Sequence, residues 1–148
     1  MRDEGAALAD LVEEVLPGWV ERVVRLRLEA WSGPPSPEQV EAARDAGRRA
    51  VADVGPRLRA LLAADVDEQA TTPLTIIRSA VRHPGAVLRA AGVPPVARDE
   101  RQVQLLPEDE YDLTPATWSD VDERLVGPGI AWGAAKAMEH KRRHGAST

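Results

Sequence analysis

Between residues 3 and 31 the apolar side chains fall at Leu8, Leu11, Val12, Val15, Trp19, Val23, Leu26 and Ala30. Spacings of three and four line one face of a helix. Nowhere else in the chain does an alternating, strand-like pattern compete with that period. The expected fold class is therefore all-α, a compact helical domain of about six to seven helices. Composition agrees: there is no Phe, aromatics total 3%, and Ala, Val and Leu supply most of the apolar volume. Ala lets two helix backbones approach closely without loss of helix propensity. A chain of 148 residues suits one domain, burying about two-thirds of the surface its unfolded form exposes.

The boundaries follow from local signals. Pro17-Gly18 interrupts the first segment, which predicts a kinked helix or a helix pair over 1–31. Residues 36–92 hold the central helices. Ser36, Pro37 and Gln39 form a capping box with proline at the first helical position. Gly55-Pro56 then separates this helix from a short one carrying Leu58, Leu61 and Leu62 inward. Thr72 with Pro73 caps the next, Pro84 opens another, and Gly92 is its stop. Pro94-Pro95 begins an extended connector, 93–113, long enough to be functional or partly disordered. A C-terminal helix pair over 114–145 follows, with Thr114-Pro115 read as the first cap and VGPG as the break. The last helix places Ile130, Ala134, Ala137 and Met138 on one face.

Charge and composition narrow the function. The formal net charge of −5 opposes general nucleic-acid binding, which needs a basic surface. Without cysteine there is no disulfide, thiolate metal site or Cys nucleophile. No apolar run is long enough to span a bilayer. The acidic N-terminus lacks a signal peptide's basic start and apolar core. A cytoplasmic protein with no membrane or nucleic-acid partner is the expectation.

Candidate sites are few. The stretch 106–123, LPEDEYDLTPATWSDVDE, holds seven carboxylates and no Lys or Arg. It lacks the glycine turn and terminal Glu of a calcium loop, so it reads as a solvated or docking element. The tetrapeptide DVDE at 120–123 repeats that at 65–68, without flanking similarity. His140 and His144, at i and i+4, could share a metal. The one third ligand within sequence reach, Glu139, is turned roughly 100° away by the helix, and basic groups in a last helical turn already suit the helix dipole. No phosphate loop, nucleophile elbow or catalytic triad is present. We therefore expect no catalytic residues, no metal and no cofactor. The remaining set is Arg78, Arg82, Arg89, Tyr111, Trp118 and Trp132. The arginines suit a phosphate or an acidic partner, or fasten the acidic connector internally. The aromatics are core volume or an interface. These six are the candidate partner-binding residues.

The run TTPLTIIRSAVRHPGAVLRAAGVPPVARDE, then YDLTPATWSDVD and GIAWGAAKA, resembles a family of small actinobacterial signature proteins, that of ParJ. The resemblance covers about residues 65 to 143. It implies a non-enzymatic cytoplasmic protein that binds the chromosome-partitioning ATPase ParA and alters its polymerisation. The rival expectation is an enzyme or small-molecule binder that uses the arginines on a phosphorylated or carboxylated ligand. A third is a subunit whose alanine-rich faces form a homodimer.

Overall fold

Helix α1 (Glu4–Ser32) starts where the Asp3 side chain accepts the Ala6 N–H at 3.0 Å, and it stops at Gly33, whose φ is 92°. After the short link comes α2 (Pro37–Ala63), opened by the Ser36–Gln39 capping box. In this computed structural model, residues 3–69, 71–96 and 109–145 are described. Of the expected connector 93–113, residues 97–108 lie outside them. Beyond α2 lie a 3-10 turn (Val66–Glu68), α3 (Pro73–Arg78), a second 3-10 turn (Ser79–Val81) and α4 (Arg82–Ala90). Last come α5 (Trp118–Val121), a third 3-10 turn (Glu123–Leu125) and α6 (Val126–His144). The described residues contain no strand, and none of their helices is long and apolar enough to cross a membrane. The fold class is all-α.

Neither Pro17-Gly18 nor Gly55-Pro56 divides the chain into two helices. Helix α1 runs unbroken through Pro17-Gly18, and α2 through Gly55-Pro56. A proline inside a helix costs about 3 kcal/mol, but the packing face of each helix outweighs that. In α1 the row Leu8, Val12, Leu16, Val20, Val24 and Leu28 is buried, and in α2 the row Ala46, Ala50, Val54, Leu58 and Leu62. Burying one large aliphatic side chain contributes roughly 1.5–3 kcal/mol. Both rows advance by four. Such a row drifts round the helix, since four residues turn it by more than a full revolution. The expected stripe therefore holds as far as Val23, which packs against the core, and then fails: Leu26 is 59% exposed.

Glycines bring the pair together. A Cβ on Gly47 would lie 3.0 Å from Pro17 Cα, one on Gly55 3.1 Å from Glu13 Oε1, and one on Gly5 3.0 Å from the Leu62 carbonyl oxygen. Contacts of 5 with 62, 13 with 55 and 17 with 47 define an antiparallel hairpin.

The other elements close over it. Thr72 caps α3 through the Thr75 N–H. Helix α4 begins at Arg82, two residues before Pro84, which sits harmlessly in the first turn. It ends as expected at Gly92 (φ 81°). There the Val93 N–H donates to Leu88 O and the Gly92 N–H to Arg89 O, the double bond of a Schellman motif. Helix α6 starts at Val126, so VGPG is its first turn and no break. Side chains of Ile77, Leu88, Tyr111, Val121, Leu125 and Trp132 join those of the hairpin in one buried cluster.

Candidate functional site

The acidic stretch is held to the helical body by guanidinium groups. Arg22 donates to Val121 O at 2.9 Å, and Arg27 to Asp112 O at 3.4 Å. From α3, Arg78 donates to Pro115 O at 2.9 Å and to Ala116 O at 3.1 Å. From α4, Arg89 meets the Glu110 carboxylate at 3.2 and 3.4 Å. Four arginines on three helices thus grip residues 110–121, three of them through backbone carbonyls. The sequence suggests internal fastening of charge on charge. The fastening is mostly guanidinium on peptide, because an irregular segment leaves carbonyls that need donors.

The segment also fastens itself. Asp109 is buried, 3% exposed. Its carboxylate accepts the Leu113 N–H at 2.8 Å, the Thr114 N–H at 2.7 Å and the Thr114 hydroxyl. Thr114 is therefore a partner of Asp109 and not a helix cap. The cap lies three residues on, where Asp120 accepts the Ala116 and Thr117 N–H groups at 2.8 and 3.0 Å. Those two donors hold the Asp120 carboxyl below its ordinary range. Nor is 116–125 one helix. Asp122 is extended (φ −164°) and caps the following 3-10 turn through the Arg124 N–H at 2.8 Å.

The remaining predicted residues have separate places. Arg82 joins Asp53 of α2 at 3.1 Å, where His83 arrives at 2.9 Å and Arg57 at 3.1 Å. Burial alone would raise the Asp53 carboxyl. The hydrogen bonds from Arg82 and His83 and the charge of Arg57 reverse this and lower it to about 2. Tyr111 is 2% exposed; its hydroxyl donates to Val93 O at 2.8 Å. Burial, followed by the neighbouring Glu110 charge, raises that phenol. Trp132 is buried and donates to Leu62 O at 3.1 Å, beside Lys136 Nζ on Ala64 O at 2.7 Å. Together they satisfy carbonyls left open at the end of α2. Trp118 lies over Gly129, so close that a Cβ there would be 2.6 Å from its indole nitrogen. All six are thus engaged within the chain, and Tyr111 is wholly enclosed, while Trp132 lines an open groove with Leu62, Lys136 and Glu139.

What faces outward is a different surface. On α6 the side chains of Ile130, Ala131, Ala134, Ala137 and Met138 are turned from the core, Ile130 65% exposed and Met138 62%. The apolar face read from the sequence exists, but it points to solvent, while Gly129 and Trp132 turn inward. Ile130 and Met138, with the alanines between them, form one exposed apolar strip along the helix. The spacing carries the signal for this face; its direction comes only from the fold.

An open groove of about 390 Å³ runs between α2 and α4. It is lined by Ala42, Ala46, Arg49, His83, Val87 and Ala90 among others. None of Arg78, Arg82 and Arg89 lines it. Compared with protein-family models, with curated proteins and with solved structures, the chain matches none.

Proposed function

We propose that this chain is a non-enzymatic helical adaptor that binds a ParA-type partitioning ATPase through the outward face of α6 and alters its polymerisation. The observation that carries the reading is the row Ile130, Ala134, Ala137 and Met138, apolar, turned outward and held on a helix that is itself anchored by Trp132 and Lys136. A rigid helix with an apolar face is a common form of protein contact. The ATPase is chosen as partner because the family resemblance spans α6. The rival ligand site is disfavoured, because Arg78, Arg82 and Arg89 already hold carbonyls and carboxylates of the chain.

The test is binding of the purified chain to the ParA-type ATPase, with light scattering to follow polymerisation. Replacing Ile130→Asp and Met138→Asp together should weaken binding at least about tenfold and leave the circular dichroism spectrum unchanged. The reading fails if the unaltered chain neither binds the ATPase nor changes its polymerisation. It fails equally if the double variant merely turns a dimer of this chain into a monomer.

A further inference from the structure

The 3-10 turn after α2 is docked on the end of α6. Glu139 Oε1 accepts the Val66 N–H at 3.3 Å, and Arg143 bridges Asp65 and Asp67, the latter at 3.4 Å. This docking brings Asp67, far away in sequence, beside the two histidines of the last two turns. His144 Nε2 lies 2.7 Å from Asp67 Oδ1, and the rings of His140 and His144 have centroids 4.6 Å apart. One ligand atom from each of Asp67, His140 and His144 falls within 4.8 Å of the other two. We infer that these three side chains form a binding site for a borderline divalent ion of the zinc type. The inference is independent of the proposed adaptor role.

The chemistry selects the ion. Two imidazoles and one carboxylate suit zinc and its transition-metal neighbours, whereas calcium and magnesium prefer oxygen alone. Ligand atoms about 2.0–2.2 Å from zinc must stand closer together than the widest spacing seen here. All three side chains are exposed, so rotamer changes can close that gap without moving the backbone. Two of the ligands sit one helical turn apart on α6, a spacing that puts both on one side. Of the neighbouring cations, Lys141 and Arg142 oppose an ion, Arg142 from a different side of the helix; Arg143 opposes it most directly, since it meets Asp67 Oδ2 at 3.4 Å and leaves Oδ1, beside His144, to the ion. The two turns at the start and end of the site already touch through Glu139 and Arg143, so an ion would tie together elements that are adjacent before it arrives. Three protein ligands leave coordination positions for water.

Isothermal titration of the chelator-stripped full chain with zinc chloride tests this. The expected result is one ion per chain and a raised thermal midpoint. His140→Ala and His144→Ala should each weaken uptake at least about tenfold, and Asp67→Asn should weaken it by a similar order. Their circular dichroism without zinc should match the unaltered chain, because exposed side chains are being changed. In the unaltered chain, zinc should shift the ring resonances of His140 and His144 and not those of His83. No uptake by the unaltered chain overturns the inference. So does uptake that both histidine variants retain in full.

Discussion

At Gly129 a single hydrogen atom decides whether Trp118 can sit where it does. A Cβ would lie 2.6 Å from the indole nitrogen and 2.7 Å from Cε2, too close for the ring to yield without leaving its place. Gly129→Ala should therefore destabilise the fold by about 1–3 kcal/mol, with a red shift in Trp fluorescence as the indole is expelled. Gly133, four residues further along the same helix, would have nothing within 4 Å of an added Cβ. Gly133→Ala should stabilise by about 0.5–1 kcal/mol, both changes being read from urea titrations. Opposite signs for two glycines in one helix separate packing from propensity. Asp109 is the matching polar case. It supplies the bonding for two backbone N–H groups and a hydroxyl in a buried position. Asp109→Ala should cost about 1.5–3 kcal/mol in the same measurement and increase hydrogen exchange at the Leu113 and Thr114 amides. Neither site is legible in the sequence. A glycine shows there that a side chain is absent, but not what stands opposite it, and Asp109 is one acid among seven.

Elements are legible where the signal is local, and misread where a partner decides. The capping box at Ser36, the cap at Thr72 and the stop at Gly92 each need only a few neighbouring residues, and each forms. Thr114-Pro115 carries the same cap signal as Thr72-Pro73, yet Asp109 takes the threonine and the helix opens at Trp118. The DVDE pair makes the same point: Asp65 caps the first turn from its first acid, whereas Asp122 caps the second from its third position. Pro17 and Pro56 read as breaks because their cost is local, while the row that overrides them is buried across the hairpin. The hairpin itself offers a test. A Cβ on Gly47 would meet Pro17 backbone at 3.0 Å and its Cβ at 3.2 Å. Neither atom belongs to a flexible side-chain end, so the two helices must separate. Gly47→Ala should lower stability by about 1–3 kcal/mol despite the gain in helix propensity, as judged by thermal unfolding. The outward face of α6 and the zinc-type cluster fall between these cases. Periodicity places Ile130 with Met138 and His140 with His144, but only the folded chain shows which face is free and that Asp67 arrives.

Across the molecule, the carboxyl groups displaced from their ordinary range among the described residues all move the same way. Asp53 is lowered to about 2 from 3.8 against its own burial, by Arg82, His83 and Arg57. Asp67 is lowered by His144, Asp120 by backbone N–H groups and Asp122 by Arg124. A group whose folded pKa lies below its unfolded value binds fewer protons in the folded state. Its stabilisation is complete above the unfolded pKa and is lost as pH falls through the folded one. For Asp53 the window runs from 3.8 down to about 2. Its side chain is 20% exposed, so a contribution of roughly 2 kcal/mol is appropriate; the other three lie at the surface and add less. Asp53 joins α2 to α4, and α4 carries Arg89, one of the four arginines that grip residues 110–121. Loss of its charge should therefore loosen more than one contact. Urea unfolding at pH 7 should find Asp53→Asn less stable than the unaltered chain by roughly 2 kcal/mol, and the gap should close as the pH is brought from about 4 towards about 2. A gap of the same size at both ends of that range would show that Asp53 acts by shape and not by charge.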